Sequence, residues 1–478
     1  MTTSQTEGTP SAGGAPLTEM TFHERPEPGP ATPWAFPTPA RGALPNGLTV
    51  LRCHRPGQQL VAVELVLDAP LTAEPREQEG VATIMARSFS EGTDTLDAEA
   101  FAAELERAGA TLDAHADHTV VSLSLEVPNS RLERGLSLLA DAVRAPAFPD
   151  AEVERVVANR LDEIQHERAN PARRAAIALY AELFPADDRI SRPRAGAAET
   201  VERIDAEAVR AFYRAHVRPA TATAVIVGDL TAAGDVDGIL ERTLGAWQGD
   251  SAEPGVPAPV RAADPGERGR VVIVDRPGAV QTQLLIGRLG PDRHAPEWPA
   301  QVLGTYALGG TLTSRLDRVL REEKGYTYGV RAFAQPLRSG AEGQGRALLG
   351  ISGSVDTPST APALADAWQV LRTLAAEGLT GEERDIAVQN LVGIAPLRYE
   401  TAVAVCGTLA DQVAQQLPDD YQAGLYQRMN DTTTEAATAA VVAGFQPDRL
   451  LTVLVGDASA IEEEVRALGI GEVTVVPA

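Results

Sequence analysis

Cys53 and Cys406 are the only thiols in this chain of 478 residues. There is no Cys-x-x-Cys, so neither a disulfide framework nor a thiolate zinc site is supported. Aromatic residues make up only 4%, and the apolar 44% must build its cores from alanine, valine and leucine. Basic side chains are outnumbered 42 to 66, a formal charge of −24. That deficit argues against nucleic acid or an anionic membrane as partner, and leaves cationic peptides or plain solubility. No apolar run reaches the length of a membrane span. The N-terminus lacks a basic region followed by an apolar core, so no secretory signal is read and cytoplasm is expected. A G-x-S-x-G elbow is missing, and neither cysteine has a histidine at an interpretable motif spacing, since Cys53-His54 are simple neighbours.

What is present reads as mixed helices and strands. Residues 1–42, rich in Thr, Ser, Gly, Pro and Ala, are expected to be a disordered tail. Strands are expected at 48–52, 60–67 and 223–227, and one long strand over 111–126. Helices are expected near 78–90, 97–108, 131–144 and 150–168, the last with Asp150 as N-cap. A Pro/Gly/Ala-rich segment at 249–268 reads as a linker. Beyond it the pattern repeats. Arg55-Pro56-Gly57 returns as Arg276-Pro277-Gly278 after 221 positions, and Val227-Gly228-Asp229 as Val455-Gly456-Asp457 after 228. Two homologous halves follow, 43–248 and 269–478. Without strict β-α-β alternation, the class is α+β. Thr380-x-x-Glu383 is a capping box.

The stretch Leu308–Val330 carries the densest signal. Gly309-Gly310 marks a close backbone approach. Leu312, Arg315, Leu316, Val319 and Leu320 recur at helical spacing, with Gly325 placed as a C′ glycine. Tyr326, Tyr328 and Val330 then alternate as in a strand. A helix bearing Arg321 would thus hand over to a strand bearing Tyr328.

Together these features resemble the pitrilysin family of zinc peptidases, with its inverted H-x-x-E-H motif. The resemblance rests on Leu308-Gly309-Gly310, Ser314-Arg315-Leu316, Arg321 through Gly325 with Tyr328, the two Val-Gly-Asp ends, and Gln281-x-Gln283. It implies halves of two α+β subdomains each, with mixed or antiparallel sheets flanked by helices, forming half of a clam-like chamber. It also implies that Arg321 and Tyr328 act in trans on a peptide, with Gly309 and Gly310 beside it. The zinc motif itself is gone. After Gly80-Val81-Ala82 the ligand and base positions hold Thr83, Ala86 and Arg87, and only Glu163 fits the place of the third ligand. One carboxylate cannot hold zinc, a guanidinium repels it, and Ala86 cannot take a proton from water.

The resemblance therefore implies a zinc-free subunit with no metal of its own. It would pair with a homologous chain that carries the intact motif and the zinc. Arg87 is expected to pair with Glu163, the guanidinium standing where the metal would be. A structural subunit or a non-cleaving peptide-binding module are the alternatives; retention of Arg321 and Tyr328 favours the peptidase reading. Two other clusters invite a metal. Asp113, His115, Asp117 and His118 lie in a strand pattern, with the histidines an odd number apart and so on opposite faces. Glu163-x-x-His166 with Glu167 shares one helix face but occurs once, and reads as a solvated surface.

Overall fold

The computed structural model describes residues 34–249, 260–263, 269–338 and 346–477. The expected tail up to residue 33, and most of the expected linker, lie outside the described residues. Twelve described strands form two sheets of six. In the first half they are β1 (Ala40–Ala43), β2 (Thr49–His54), β3 (Leu60–Leu67), β4 (Thr111–Ala116), β5 (Val121–Pro128) and β6 (Thr223–Gly228). In the second they are β7 (Arg270–Asp275), β8 (Gln281–Gly290), β9 (Val330–Arg338), β10 (Arg346–Asp356), β11 (Leu451–Gly456) and β12 (Glu472–Pro477).

The strand orders are β1-β2-β6-β3-β5-β4 and β12-β7-β11-β8-β10-β9. Five positions correspond, with β2 and β6 parallel as β7 and β11 are, and the remaining neighbours antiparallel. Only the first position differs. There β1, ahead of its sheet, runs antiparallel to β2, whereas β12, from the chain's end, runs parallel to β7. This is an α+β fold of two like halves, with helices flanking each sheet.

The repeated sequence motifs turn out to be two parts of one device. Gly57 N donates to Asp229 Oδ2 at 2.8 Å, and Gly278 N donates to Asp457 Oδ2 at 2.8 Å. Both glycines have positive φ, +84° and +75°, which a side chain would resist. Arg55 N and Arg276 N donate to Gly228 O and Gly456 O, each at 2.7 Å. The turn after one strand is thus locked to the end of its parallel neighbour, twice.

Residues 35–478 form one compact unit, and the halves interlock by exchanging helices. The Pro171–Leu183 helix of the first half lies on β8 and β11, and the Ala402–Ala414 helix of the second lies on β3 and β6. The repeated arginines hold the entrances of these helices. Arg55 Nη2 donates to Tyr399 O at 3.1 Å, and Arg276 Nη1 to Ala169 O at 2.8 Å.

Four local expectations need correction. Residues 111–126 are a hairpin, β4 and β5, because Asp117 N bonds to Val120 O at 2.8 Å and reverses the chain. Asp150 is the first residue of the Asp150–Ala169 helix, not its cap, and its carboxylate accepts from Arg210 Nη2 at 2.7 Å. Order also begins earlier than residue 43, since Phe36 is buried edge-on against Tyr399 and β1 starts at Ala40. The fourth concerns the stretch around Tyr328, described next.

Candidate functional site

The Val81–Ser88 helix starts at Gly80, whose φ of +108° suits only glycine. Its first N–H groups are satisfied by a buried carboxylate, with Gly80 N and Ala82 N both donating to Glu74 Oε1 at 3.0 Å. Glu74 Oε2 in turn accepts from Arg189 Nε at 2.8 Å. This rigid helix carries Thr83, Ala86 and Arg87. Thr83 and Ala86 are buried, the latter within the main core of the first half.

Arg87 and Glu163 are brought together. Arg87 Nη1 donates to Glu163 Oε1 at 2.8 Å, and Arg160 Nη1 to Glu163 Oε2 at 3.1 Å. Arg160, only 3% exposed, also grips Glu167 with two hydrogen bonds at 3.0 Å and donates to Ala195 O at 3.1 Å. Two guanidinium groups and two carboxylates balance. Partial burial would raise the pKa of Glu163, but the bonds from Arg87 and Arg160 outweigh it and hold the carboxyl below its ordinary value. Thr83 and Ala86 offer no imidazole or carboxylate, Arg87 is cationic, and Glu163 is already paired, so these residues do not fit a zinc ion. Arg160 was not singled out from the sequence. Its signal is Arg160-x-x-Glu163-x-x-x-Glu167, which sets the three side chains on one helix face.

The other metal candidates are dispersed. His115 projects from β4, His118 lies in the turn beyond it with its ring parallel to Tyr180, and His166 Nδ1 is 2.8 Å from Asp162 O. Among the described residues, no group of three His, Cys, Asp or Glu is placed to hold a metal ion.

In the second half, the Trp298–Gly309 helix ends against β9. A Cβ on Gly309 would come within 2.5 Å of Ala332 N, so the close approach read from Gly309-Gly310 is to a strand of the same chain. On Gly310 it would meet the Tyr306 ring. The helix expected from Leu312 begins only at Arg315, because Ser314 is extended and Ser314 N turns back to Thr311 O. From Arg318 to Glu323 it widens into a π-helix, a form frequent at functional sites, and Gly325 follows with φ +68°.

Tyr326 to Gly329 are not strand. Thr327 Oγ1 accepts from Gly329 N at 3.1 Å and keeps this segment out of the ladder, while buried Asp317 accepts from Val330 N at 3.0 Å and starts β9 there. Asp317 also pairs with Arg331. Arg315 reaches Glu383 through two bonds of 2.6 and 2.7 Å, and Gly378 O at 2.7 Å. Glu383 closes the capping box with Thr380. Arg321 is 34% exposed, its Nε 3.5 Å from Glu322 Oε1. Tyr328 is 94% exposed, and among the described residues nothing bonds its hydroxyl. The corner is anchored on all sides except at the tyrosine.

Residues 49–193 match the family model described as Insulinase (Peptidase family M16), and residues 203–391 match the one described as Peptidase M16 inactive domain. The chain belongs to the M16 peptidase family. The segment matching the first model contains Thr83, Ala86, Arg87 and Glu163; the segment matching the second contains Arg321 and Tyr328. Its relatives include a protein of Mycobacterium tuberculosis named an uncharacterized zinc protease, 29% identical over 373 residues (76% of this chain, 81% of that one). One of the same description from Rickettsia felis is 24% identical over 294 residues (61% and 68%). In fold, the chain is like the peptidase M16 inactive domain from Pseudomonas fluorescens, at TM-score 0.77 and 23% identity (88% of this chain, 98% of that one). It is also like a protease from Helicobacter pylori, at TM-score 0.78 and 17% identity (88% and 100%).

Proposed function

We propose that this chain is the zinc-free subunit of a two-chain M16 peptidase. It pairs with a homologous chain bearing an intact H-x-x-E-H motif and zinc, and presents Arg321 and Tyr328 to that chain's substrate. The observation that carries this reading is the contrast between the two sites. Arg87 and Arg160 neutralise the carboxylate left at the metal position, while Tyr328 stands 94% exposed on an anchored corner, its hydroxyl unbonded among the described residues. A phenolic hydroxyl aimed at the scissile carbonyl stabilises the developing oxyanion by roughly 2.7–4 kcal/mol. An arginine adds a rigid fork of donors to the peptide.

In this reading the halves divide as 43–248 and 269–478, the substrates are unfolded peptides, and the compartment is the cytoplasm. Among the described residues no helix is long and apolar enough to cross a membrane. The test is to copurify the chain with an M16 partner that carries the intact motif, then assay peptide cleavage by each chain alone and by both. Activity is expected only in the mixture, with zinc held by the partner. Cleavage by this chain alone with metal bound would overturn the reading.

A further inference from the structure

We propose that the open face of the second sheet is a subsite for one bulky apolar side chain of an extended peptide, with a carboxylate of that peptide meeting Arg173. This deepens, and rests on, the reading of the chain as a peptide-handling subunit.

The subsite follows from how the exchanged helix covers its sheet. Ala175 and Leu179 pack over β7, β11 and β8 in one core cluster with Val272, Val453 and Leu285. The outer part of the same face, over β9 and β10, is left open as a cavity of about 440 Å³. Its floor includes the apolar Leu285, Phe333, Leu337 and Leu348, and polar and charged groups, among them Gln283, Gln335, Ser352 and His118, share the lining. Phe333 pairs across from Gly350 and lies over it; a Cβ there would sit 2.3 Å from the ring. The volume falls in the ordinary range for ligand pockets, and such pockets favour boundaries between halves.

The first half supplies a built-in contrast. There the Ala402–Ala414 helix covers β6 and β3 and leaves a second cavity, also about 440 Å³, over β5 and β4. Its lining mixes apolar residues such as Val63, Leu125 and Val403 with the carboxylates of Glu64, Asp113, Asp117, Glu126 and Asp411. Homologous architecture has diverged in the sign of its charge, five carboxylates on the first cavity against Arg173, Arg192, Arg194 and one carboxylate, Asp117, on the second. The carboxylates of the first face repel a peptide carboxylate, whereas the second sets arginines beside leucine and phenylalanine side chains.

The occupant is argued from the edge and the charge. β9 ends its sheet, so its outer backbone groups have no strand partner among the described residues. An extended peptide added there would turn alternate side chains toward the cavity face. Tyr328 lies two residues before β9, with Phe333 and Leu337 five and nine residues beyond it, a reach of about 17–30 Å along the strand. At the cavity mouth Arg192 is engaged by Glu79 and Arg194 by Asp117. Arg173 is exposed, and its side chain has no partner among the described residues. It is the guanidinium available to an incoming carboxylate.

The test uses fluorescence anisotropy on this full chain alone. Labelled peptides identical except for Phe, Leu or Ser at one position, with free or amidated C-termini, are compared. The Phe and Leu peptides are expected to bind about ten- to a hundredfold more tightly than the Ser peptide. Ser352→Trp, which fills the cavity, removes that preference. Arg173→Ala, at an exposed helix position, weakens the free-carboxylate peptides by up to about fivefold and leaves the amidated ones unchanged. Equal binding of the Phe and Ser peptides to the wild-type chain overturns the proposal, as does an unchanged preference in folded Ser352→Trp. No partner or zinc enters this measurement. A Tyr328→Phe pair with full turnover would therefore reject the subunit reading and leave the apolar preference standing, and the converse pattern would reject only the subsite.

Discussion

Arg87 Nη1 lies 2.8 Å from Glu163 Oε1, joining two residues 76 positions apart on two helices that pack together. In the proposed reading this carboxylate stands at the metal position with a guanidinium as its partner. Arg160, on the same helix as Glu163, completes the substitution from the buried side.

The two arginines differ sharply in burial, and their removal should differ accordingly. Arg87 and Glu163 are 36% and 44% exposed, so Arg87→Ala is expected to cost no more than about 1 kcal/mol in urea unfolding. Arg160 is 3% exposed, and Arg160→Ala strands Glu167 and Ala195 O while Glu163 keeps only Arg87. A loss of about 2–3 kcal/mol is expected, since the carboxylates left behind are partly solvated. Equal costs would contradict the division of labour between them.

Acid should expose the same cluster. The folded-state pKa of Glu163 lies below its ordinary value of 4.5, as does that of Glu383 beside Arg315. For a depressed carboxyl the stabilisation is complete above the unfolded pKa and is lost as pH falls through the folded one. Thermal melts should therefore stay level down to about pH 5 and fall below about pH 4.5. Arg87→Ala with Arg315→Ala should flatten that acid limb. A limb unchanged in the double variant would show that other groups control it.

Arg315 should matter through shape. Its fork holds Glu383 and Gly378 O beneath the corner that bears Tyr328. Arg315→Ala is expected to destabilise the chain by about 3–5 kcal/mol and to speed amide exchange across 315–330. Exchange confined to other segments would remove this anchoring role.

The metal position tests whether only side chains were lost. With Glu163 in place, Thr83→His, Ala86→Glu and Arg87→His together should confer zinc binding near one ion per chain, measured by elemental analysis after dialysis. Arg87→His alone should not, since two protein ligands fall short of the three a site requires. Zinc retained by the wild-type chain would contradict the assignment of its site.

Much of this was legible in the residues. Arg-Pro-Gly and Val-Gly-Asp gave away the duplication because each pair is tied by the same hydrogen bond from glycine N to aspartate Oδ2. That Thr83 through Arg87 is no H-x-x-E-H could be read directly, and Arg87 met Glu163 as charge demanded. The reversal at Asp117–Val120 was hidden because the alternation continues on both sides of it. Tyr328 looked like a strand residue for the same reason, although Thr327 and Gly329 bond locally and Asp317 starts the ladder two residues later. The exchange of the 171–183 and 402–414 helices could not be read at all. It depends on contacts between residues far apart in the chain, such as Cys406 Sγ against Val225 O at 3.5 Å.

The most direct measurement is the turnover of the reconstituted pair when this chain carries Tyr328→Phe. The account predicts a fall in kcat of about two to three orders of magnitude, with the partner's zinc content and the association of the two chains unchanged. Turnover at the wild-type rate would contradict it.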